Sequence, residues 1–357
     1  MKYGLMLFSE LQQEGPSNPY EFVSELSGFA DRQGFEAIWF PERHFNPVGG
    51  NYPNPAIAAA YVAARTSRIR LRAGSVVLPL HHPAVVVESW AMVDRMSGGR
   101  VDLGIASGWN ADDFVLAPSS FANLRDLWFE RLDLVRKLWQ GEPCRFANGR
   151  GELTSIQTYP RPVQSSVNLW MAISKQADSF VRAGELGVNI LTMLAGSNLE
   201  QLSEKIQMYR AARERCGHDP EAGTVTLMLH TYLHPDAATV ERVVREPFLK
   251  YIRSSLSSHV NGGAVNAGAA TSLRELDQLA EYSFERYFTT AALFGNLEDG
   301  RRMVRQVSAA GVDEIACMLD FITDADHIRS GLPLLSALAR DELVPAKGVK
   351  AAEREQI

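Results

Sequence analysis

The chain has 357 residues, of which 46% are hydrophobic and 22% charged, and its formal net charge is −6. This composition is typical of a soluble globular protein, and the negative charge argues against a surface that binds nucleic acid or another polyanion. Three widely spaced cysteines without a CxxC pair exclude a disulfide framework and a thiolate metal site and favour a reducing cytoplasm: Cys144, Cys216 and Cys317.

Strand-like and helix-like segments alternate from the amino terminus onward. Residues 3–8 are apolar but too few for a signal peptide, and a segment with helical period at 20–33 precedes an aromatic, β-branched run at 36–40. We count eight such strand-like runs, most of them followed by a helix pattern, at residues 3–8, 36–40, 69–77, 101–106, 168–173, 188–192, 224–233 and 314–319. Their continuous apolar character is typical of parallel strands covered on both faces, and none approaches the ~20 residues of a membrane span.

This alternation predicts an α/β protein, a (β/α)8 TIM barrel, which needs about 250 residues and commonly carries insertions. We expect a single domain over residues 1–345, followed by a polar tail at 346–357. Residues 141–167 are expected to form a hairpin and loop. The glycine-rich stretch 254–272 is expected to be a mobile insertion beside the site, or else a surface loop without a role.

The second strand-like run is followed by the most informative residues of the chain, Phe40-Pro41-Glu42-Arg43-His44-Phe45. In a parallel α/β fold the carboxyl ends of the strands face the active-site cleft, so His44 would lie at its mouth. The alternative is a structural histidine that serves as a neutral hydrogen-bonding group.

The third strand-like run contains Gly74, Ser75 and Val76 and is followed by the pair His81-His82. Adjacent histidines can suggest a metal, but no third ligand stands at a suitable spacing. We therefore predict no metal site and expect both histidines to shape the turn into the next helix.

The fourth strand-like run ends in a polar and aromatic segment that includes Ser107, Gly108, Trp109 and Asn110. Glycine permits close approach of the backbone to a flat ligand, which the tryptophan could stack on and the asparagine could hydrogen-bond. The aspartates at 112 and 113 are interpreted as helix caps.

After the fifth strand-like run, Ser174, Lys175, Gln176 and Ser179 stand at the start of a helix. Hydroxyls and free backbone N–H groups at a helix start favour phosphate binding, and a capping role for Ser174 is compatible with it. In the seventh run, core packing is the default interpretation of His230.

Several motifs are absent from the sequence. It has no GxGxxG after a strand, no P-loop, no GxSxG elbow and no HExxH. A Rossmann-type dinucleotide site and a recognisable hydrolase triad are therefore excluded. The residues by themselves predict a cytosolic barrel enzyme with a phosphate-bearing ligand.

The chain also resembles the bacterial luciferase-like, flavin-dependent monooxygenases, in particular the branch associated with polyketide and nonribosomal-peptide natural products. The resemblance spans about residues 1–340. It is carried by the segments FPERHF (40–45), YPNPA (52–56), RTSRIRL (65–71), SGWNADDF (107–114), RAGELG (182–187), LMLHT (227–231) and AAGVDEIA (309–316).

This resemblance implies a TIM barrel that binds reduced FMN from a separate flavin reductase and uses O2 as co-substrate. A C4a-peroxyflavin would insert one oxygen atom into a natural-product intermediate, either a small molecule or one bound to a carrier protein. His44 would be the catalytic acid/base, and Glu42 and His230 would contact the substrate or support the site. The segment 74–76 would run beside the isoalloxazine ring, often through a non-prolyl cis peptide.

The chain departs from the luciferases after the fourth strand, where Ser107 replaces their phosphate-binding arginine. The phosphate would then be held at 174–179. An F420-dependent oxidoreductase that transfers hydride, or an inert flavin-binding relative, remains the alternative. A homodimer is expected from the family, with the alanine-rich helix at 55–64 as its candidate face.

Overall fold

The computed structural model describes residues 1–8, 18–46, 49–173, 175–194, 196–261 and 273–341, with the backbone alone for 254–261 and 273–276. These ranges form eleven strands and ten α-helices. The strands are β1 (Lys2–Met6), β2 (Ala37–Phe40), β3 (Arg70–Val77), β4 (Val101–Ala106), β5 (Cys144–Ala147), β6 (Leu153–Ile156), β7 (Leu169–Ala172), β8 (Asn189–Met193), β9 (Val225–Leu233), β10 (Leu293–Gly295) and β11 (Glu314–Met318). The helices are α1 (Pro19–Gln33), α2 (Pro55–Ala63), α3 (Pro83–Ser97), α4 (Leu124–Gln140), α5 (Ala177–Glu185), α6 (Leu199–Arg215), α7 (Ala237–Asn261), α8 (Leu273–Thr290), α9 (Leu297–Ala309) and α10 (Ala325–Arg340).

Eight parallel strands close into a barrel. The order runs β11-β1-β2-β3-β4-β7-β8-β9, and β9 pairs again with β11, so the sheet has no free edge. Helices lie between successive strands. The predicted TIM barrel is thus confirmed, and each of the eight strand-like runs corresponds to one of these strands. Strand β10 pairs with the last three residues of β9, beyond its pairing with β11.

The barrel interior and the layer between strands and helices have separate cores. Alternation along the strands turns one set of side chains inward, where Met6, Trp39, Trp170 and Met318 are buried together. The opposite faces of the strands pack against the helices in a much larger apolar cluster. Both sets are apolar, which explains why the strand-like runs show no polar alternation.

The arginine-rich segment before β3 lies at the amino-terminal end of the barrel. Arg72 is only 2% exposed. Its guanidinium pairs with Asp102 at 2.8 Å and with Glu314 at 2.7 Å, and Arg70 joins the same aspartate at 2.5 Å. The Arg72 side chain points from β3 into the barrel and is buried there. Its charge is therefore balanced by carboxylates inside the barrel rather than by water.

The helix and hairpin expectations are largely confirmed. Asn54 caps α2, and β5 and β6 form the antiparallel hairpin predicted after α4. The first part of the expected insertion at 254–272 is helical, because the backbone of α7 continues as helix to Asn261. Residues 262–272 and the tail at 346–357 lie outside the described residues. In the part of the chain that is described, no helix is long and apolar enough to cross a membrane.

Candidate functional site

The carboxyl ends of all eight barrel strands meet at one rim, because the strands are parallel. The segments after β2, β3, β4 and β7 are neighbours there, since those strands pair in that order. This arrangement brings the predicted residues of four separate segments to the same end of the barrel.

Glu42 is the centre of a hydrogen-bonded group on this rim. Its Oε1 atom lies 2.9 Å from His44 Nε2 and 2.5 Å from His81 Nε2, and its Oε2 atom accepts the backbone N–H of Val77 at 2.8 Å. Burial acts to raise the pKa of Glu42, but the hydrogen bonds from the two histidines and Val77 outweigh it and hold the pKa below its usual value. The carboxylate therefore stays ionised and can only accept hydrogen bonds.

An ionised Glu42 determines the tautomer of both imidazoles. Each Nε2 must carry a hydrogen to donate to the carboxylate, which leaves Nδ1 as the nitrogen through which His44 can exchange a proton. Arg131 holds the turn that carries His81. Its guanidinium donates hydrogen bonds to the carbonyl oxygens of Leu78 and His81 at 3.0 and 2.8 Å.

The other member of the histidine pair has a structural role. His82 caps α3 by accepting the N–H of Ala84, and its ring lies 4.6 Å from that of Phe146. Shaping of the turn is confirmed for His82, whereas His81 belongs to the Glu42 group. No cluster of three potential metal ligands occurs among the residues that the structure describes.

Strand β3 changes its register at the predicted flavin-facing segment. Ala73 pairs with Leu103 and Val76 with Ile105, so β3 carries one extra residue there. The Gly74–Ser75 peptide is cis, as expected. A Cβ on Gly74 would approach the Met6 side chain to 3.1 Å, so the residue packs tightly against the barrel interior.

The segment after β4 depends on Gly108 for its path. Its φ is +84°, and a Cβ there would come within 2.8 Å of Val77 and 3.0 Å of Phe114. The neighbouring Ser107 is half-buried, whereas the Trp109 side chain is 45% exposed at the rim.

The capping expectation for the two aspartates is wrong. Asn110 caps the 3-10 turn that follows, and its amide donates to Asp113 Oδ1 at 2.8 Å. Asp113 is buried. Burial raises its pKa, although the nearby Arg43 and the bond from Asn110 act in the opposite direction. It is therefore a carboxyl group at the rim, not a solvated cap.

The helix after β7 begins later than expected. Gln176 is its N-cap residue but makes no side-chain capping bond, and α5 begins at Ala177. The Gln176 side chain instead accepts from Arg125 at 3.1 Å. Lys175 is exposed and Ser179 half-buried. Ser174 lies outside the described residues. The first-turn N–H groups of α5 thus have no cap from Gln176.

His230 lies in an aromatic environment on β9. Its ring centroid is 4.5 Å from Phe248, 4.6 Å from Tyr251 and 5.1 Å from Phe321. Burial lowers its pKa to about 3, so the ring is neutral at physiological pH. Its Nε2 has no hydrogen-bond partner within the described ranges. Strand alternation places His230 on the same face as Met228, which borders the barrel interior.

Three residues of this region were not predicted as site residues: Arg43, His81 and Tyr251. Arg43 lies within the PERHF segment, and His81 lies in the conspicuous histidine pair. Tyr251 projects from α7 and packs on Phe8, which follows β1, with ring centroids 6.3 Å apart. Inspection of the residues at strand ends could not identify Tyr251, because Tyr251 lies on a helix.

Comparisons with known proteins agree with the resemblance that the sequence shows to luciferase-like monooxygenases. The family model for luciferase-like monooxygenases matches residues 1–332. The oxygenase component of the flavin-dependent trigonelline monooxygenase of Acinetobacter baylyi is 25% identical over 90% of this chain and 89% of its own. The 4-hydroxyprotoasukamycin monooxygenase of Streptomyces nodosus subsp. asukaensis is 32% identical over 51% of each chain.

Two solved structures share the fold. The oxygenating constituent of 3,6-diketocamphane monooxygenase from Pseudomonas putida, in complex with FMN, superposes with a TM-score of 0.73 at 18% identity, covering 95% of this chain and 97% of its own. An F420-dependent secondary alcohol dehydrogenase superposes with a TM-score of 0.72 at 16% identity, covering 95% and 99%.

Proposed function

The chain belongs to the luciferase-like family of flavin-dependent monooxygenases, and from this premise we propose that it uses reduced FMN and O2 to transfer one oxygen atom to an intermediate of natural-product biosynthesis. The observation that carries the proposal is the Glu42–His44 pair at 2.9 Å on the barrel rim. That pair stands in the neighbourhood of the β3 and β4 ends, where Gly74 and Gly108 present backbone without a side chain.

The described residues suit a flavin mononucleotide. The flat ring would lie beside the carboxyl-terminal segments of β3 and β4, which are adjacent strands. The first turn of α5, to which Gln176 gives no side-chain cap, suits the phosphate, with Ser179 and Lys175 beside it. This arrangement supports phosphate binding in a chain that has Ser107 where luciferases have an arginine. Bound reduced FMN would supply the two electrons that activate O2.

The residues of this chain would control a proton during that reaction. Glu42 holds the Nε2–H of His44, so the ring receives or releases a proton at Nδ1. The same hydrogen bond holds the His44 ring in a fixed orientation. Through His81 and Val77 the same carboxylate is fixed to β3 and the turn after it, which would keep His44 in position relative to a bound flavin.

The reductant would come from a separate flavin reductase, because the sequence has no dinucleotide-binding fingerprint. The Acinetobacter relative is itself named as an oxygenase component. The substrate would reach the site either free or on a carrier protein. A homodimer through α2 and α3 is supported by four exposed apolar side chains on these helices: Ile57, Val85, Met92 and Met96.

Binding and oxidation of the cofactor test the proposal without a known substrate. We expect anaerobic titration to show binding of photoreduced FMN. Mixing with air-saturated buffer should reoxidise the bound flavin at a rate that differs from that of free reduced FMN. Light scattering at micromolar concentration should give the mass of a dimer.

The second candidate is hydride transfer with F420, supported by the fold shared with the F420-dependent alcohol dehydrogenase. Tight binding of reduced F420 together with no binding of reduced FMN would replace the first proposal with this one.

A further inference from the structure

Arg43 is a largely buried cation that forms no ion pair with the residues that the structure describes. The residue is 9% exposed, and its Nε atom is buried without a hydrogen-bond partner. The guanidinium forms no hydrogen bond or ion pair with any residue in the described ranges; the residue's hydrogen bond there is from its backbone N–H to the carbonyl of Tyr52. Buried charges in proteins are ordinarily paired, because an unpaired one loses its hydration without compensation.

The acidic groups nearby that the structure describes form no ion pair with Arg43. Glu42, the preceding residue, is already bound by His44, His81 and Val77. Asp113 is close enough to interact electrostatically with Arg43, but its carboxylate is bonded to Asn110 and forms no ion pair with the guanidinium.

The guanidinium is nevertheless held in a defined place. It lies over the Trp109 ring, with Cζ 5.0 Å from the ring centroid. Its aliphatic stem packs against Gly49, where an added Cβ would approach Arg43 Cγ to 3.0 Å. Tyr251 also lies within electrostatic range of it. A guanidinium that is held over an indole ring, and that has no ion pair among the described residues, suits the binding of a planar anion.

We propose that Arg43 binds a carboxylate carried by the substrate, and that Trp109 provides the surface on which the planar body of the substrate stacks. This inference rests on the proposed function and adds a substrate class to it, an organic acid with a planar apolar body. The substrate is favoured over the flavin as the source of the anion, because the Trp109 side chain is 45% exposed at the rim. The flavin phosphate has its own candidate position at α5.

The experiment uses benzoate as the anionic probe and benzamide as its neutral isostere, both measured by calorimetric titration. The proteins are the wild type, Arg43→Gln and a control, Arg150→Gln, which removes an exposed arginine on the β5–β6 hairpin. We expect the wild type and the control to bind benzoate at least about tenfold more tightly than benzamide. Arg43→Gln should remove that preference, because a charge-assisted bond to the carboxylate is lost. Equal affinities in the wild type, or an unchanged preference in Arg43→Gln, would overturn the inference.

Thermal unfolding of the ligand-free protein gives a second readout. Arg43→Met should raise the melting temperature, because it removes a largely buried cation whose Nε atom has no hydrogen-bond partner among the described residues. A lower melting temperature would show that the guanidinium stabilises the fold and would count against a binding role.

Flavin binding separates this inference from the proposed function. The FMN and riboflavin affinities of Arg43→Gln should match those of the wild type. If Arg43→Gln loses a preference for FMN over riboflavin, Arg43 binds the flavin phosphate and the inference fails. If the wild type binds no flavin but keeps its preference for benzoate, the proposed function fails and the anion site at Arg43 stands.

Discussion

The Nε2 atom of His44 lies 2.9 Å from Oε1 of Glu42, and the same oxygen lies 2.5 Å from Nε2 of His81. One buried carboxylate therefore orients two imidazoles that come from turns after different strands. The two rings differ in access, since 11% of the His44 side chain and 30% of the His81 side chain is exposed. Their shared partner makes His81 a matched control for the role of His44.

Replacement of these histidines should separate proton transfer from support of the carboxylate. We expect His44→Ala to slow the proton-transfer phase of reduced-FMN reoxidation by about 10²–10⁴-fold, the usual contribution of a positioned acid or base. His81→Ala should slow it by about tenfold or less, because it removes only one of the three donors to Glu42. Stopped-flow absorbance measures both rates, with FMN affinity as the check on folding. Equal losses in the two variants would contradict proton transfer by His44.

His230 should make the protein less stable in acid. Its pKa is about 3 in the folded state and ~6.5 in an unfolded chain, so the unfolded state binds more protons between these values. The contribution is fully present above pH ~6.5 and is lost as the pH falls toward 3. Relative to pH 7, it should cost about 2 kcal/mol of unfolding free energy at pH 5.

Urea unfolding of His230→Phe and the wild type at pH 5 and 7 measures this loss of unfolding free energy. The variant should lack the loss of about 2 kcal/mol that the wild type shows between the two pH values. Phe321→Leu, in the same aromatic cluster, should lower stability equally at both. The prediction fails if His230→Phe and the wild type lose the same free energy from pH 7 to pH 5.

Gly108 should tolerate no side chain. Alanine there would adopt a φ of +84° and place its Cβ 2.8 Å from Val77, so we expect destabilisation by about 2 kcal/mol or more and weaker FMN binding. The control is Gly98→Ala, where φ is +70° and no atom lies within 4 Å of the added Cβ. That variant should show only the backbone cost of about 1 kcal/mol. Denaturant midpoints and FMN titrations of both variants test the difference, and indistinguishable variants would refute the packing argument.

Arg72 should be essential for stability at the amino-terminal end of the barrel. Arg72→Leu leaves Asp102 and Glu314 buried without their common partner, which should cost about 3–5 kcal/mol. As a control, Arg329→Leu removes an exposed ion pair with Glu25, and its effect on stability should be far smaller because solvent screens the pair. The measurement is urea unfolding at neutral pH. A small effect of Arg72→Leu would mean that water reaches these carboxylates.

Much of the site could be located from the sequence, because position relative to a strand end is a local property. His44 and Gly108 follow apolar runs directly, and parallel strands bring such positions to one rim. The Glu42–His81 contact could not be found in this way. It joins residues 39 apart in the sequence, and it depends on the irregular β3 segment and the turn after it.

The sequence by itself determined the barrel, since continuous apolar runs alternating with amphipathic helices can be buried on both faces only in a parallel sheet covered by helices. Only the tertiary structure decided which charged groups are compensated. Arg72 and Arg43 look alike in sequence. Arg72 lies between carboxylates inside the barrel, whereas Arg43 lies over Trp109 and forms no ion pair with any residue in the described ranges. The physical reason is that the energy of a charge depends on the groups that surround it, and those groups come from distant parts of the chain.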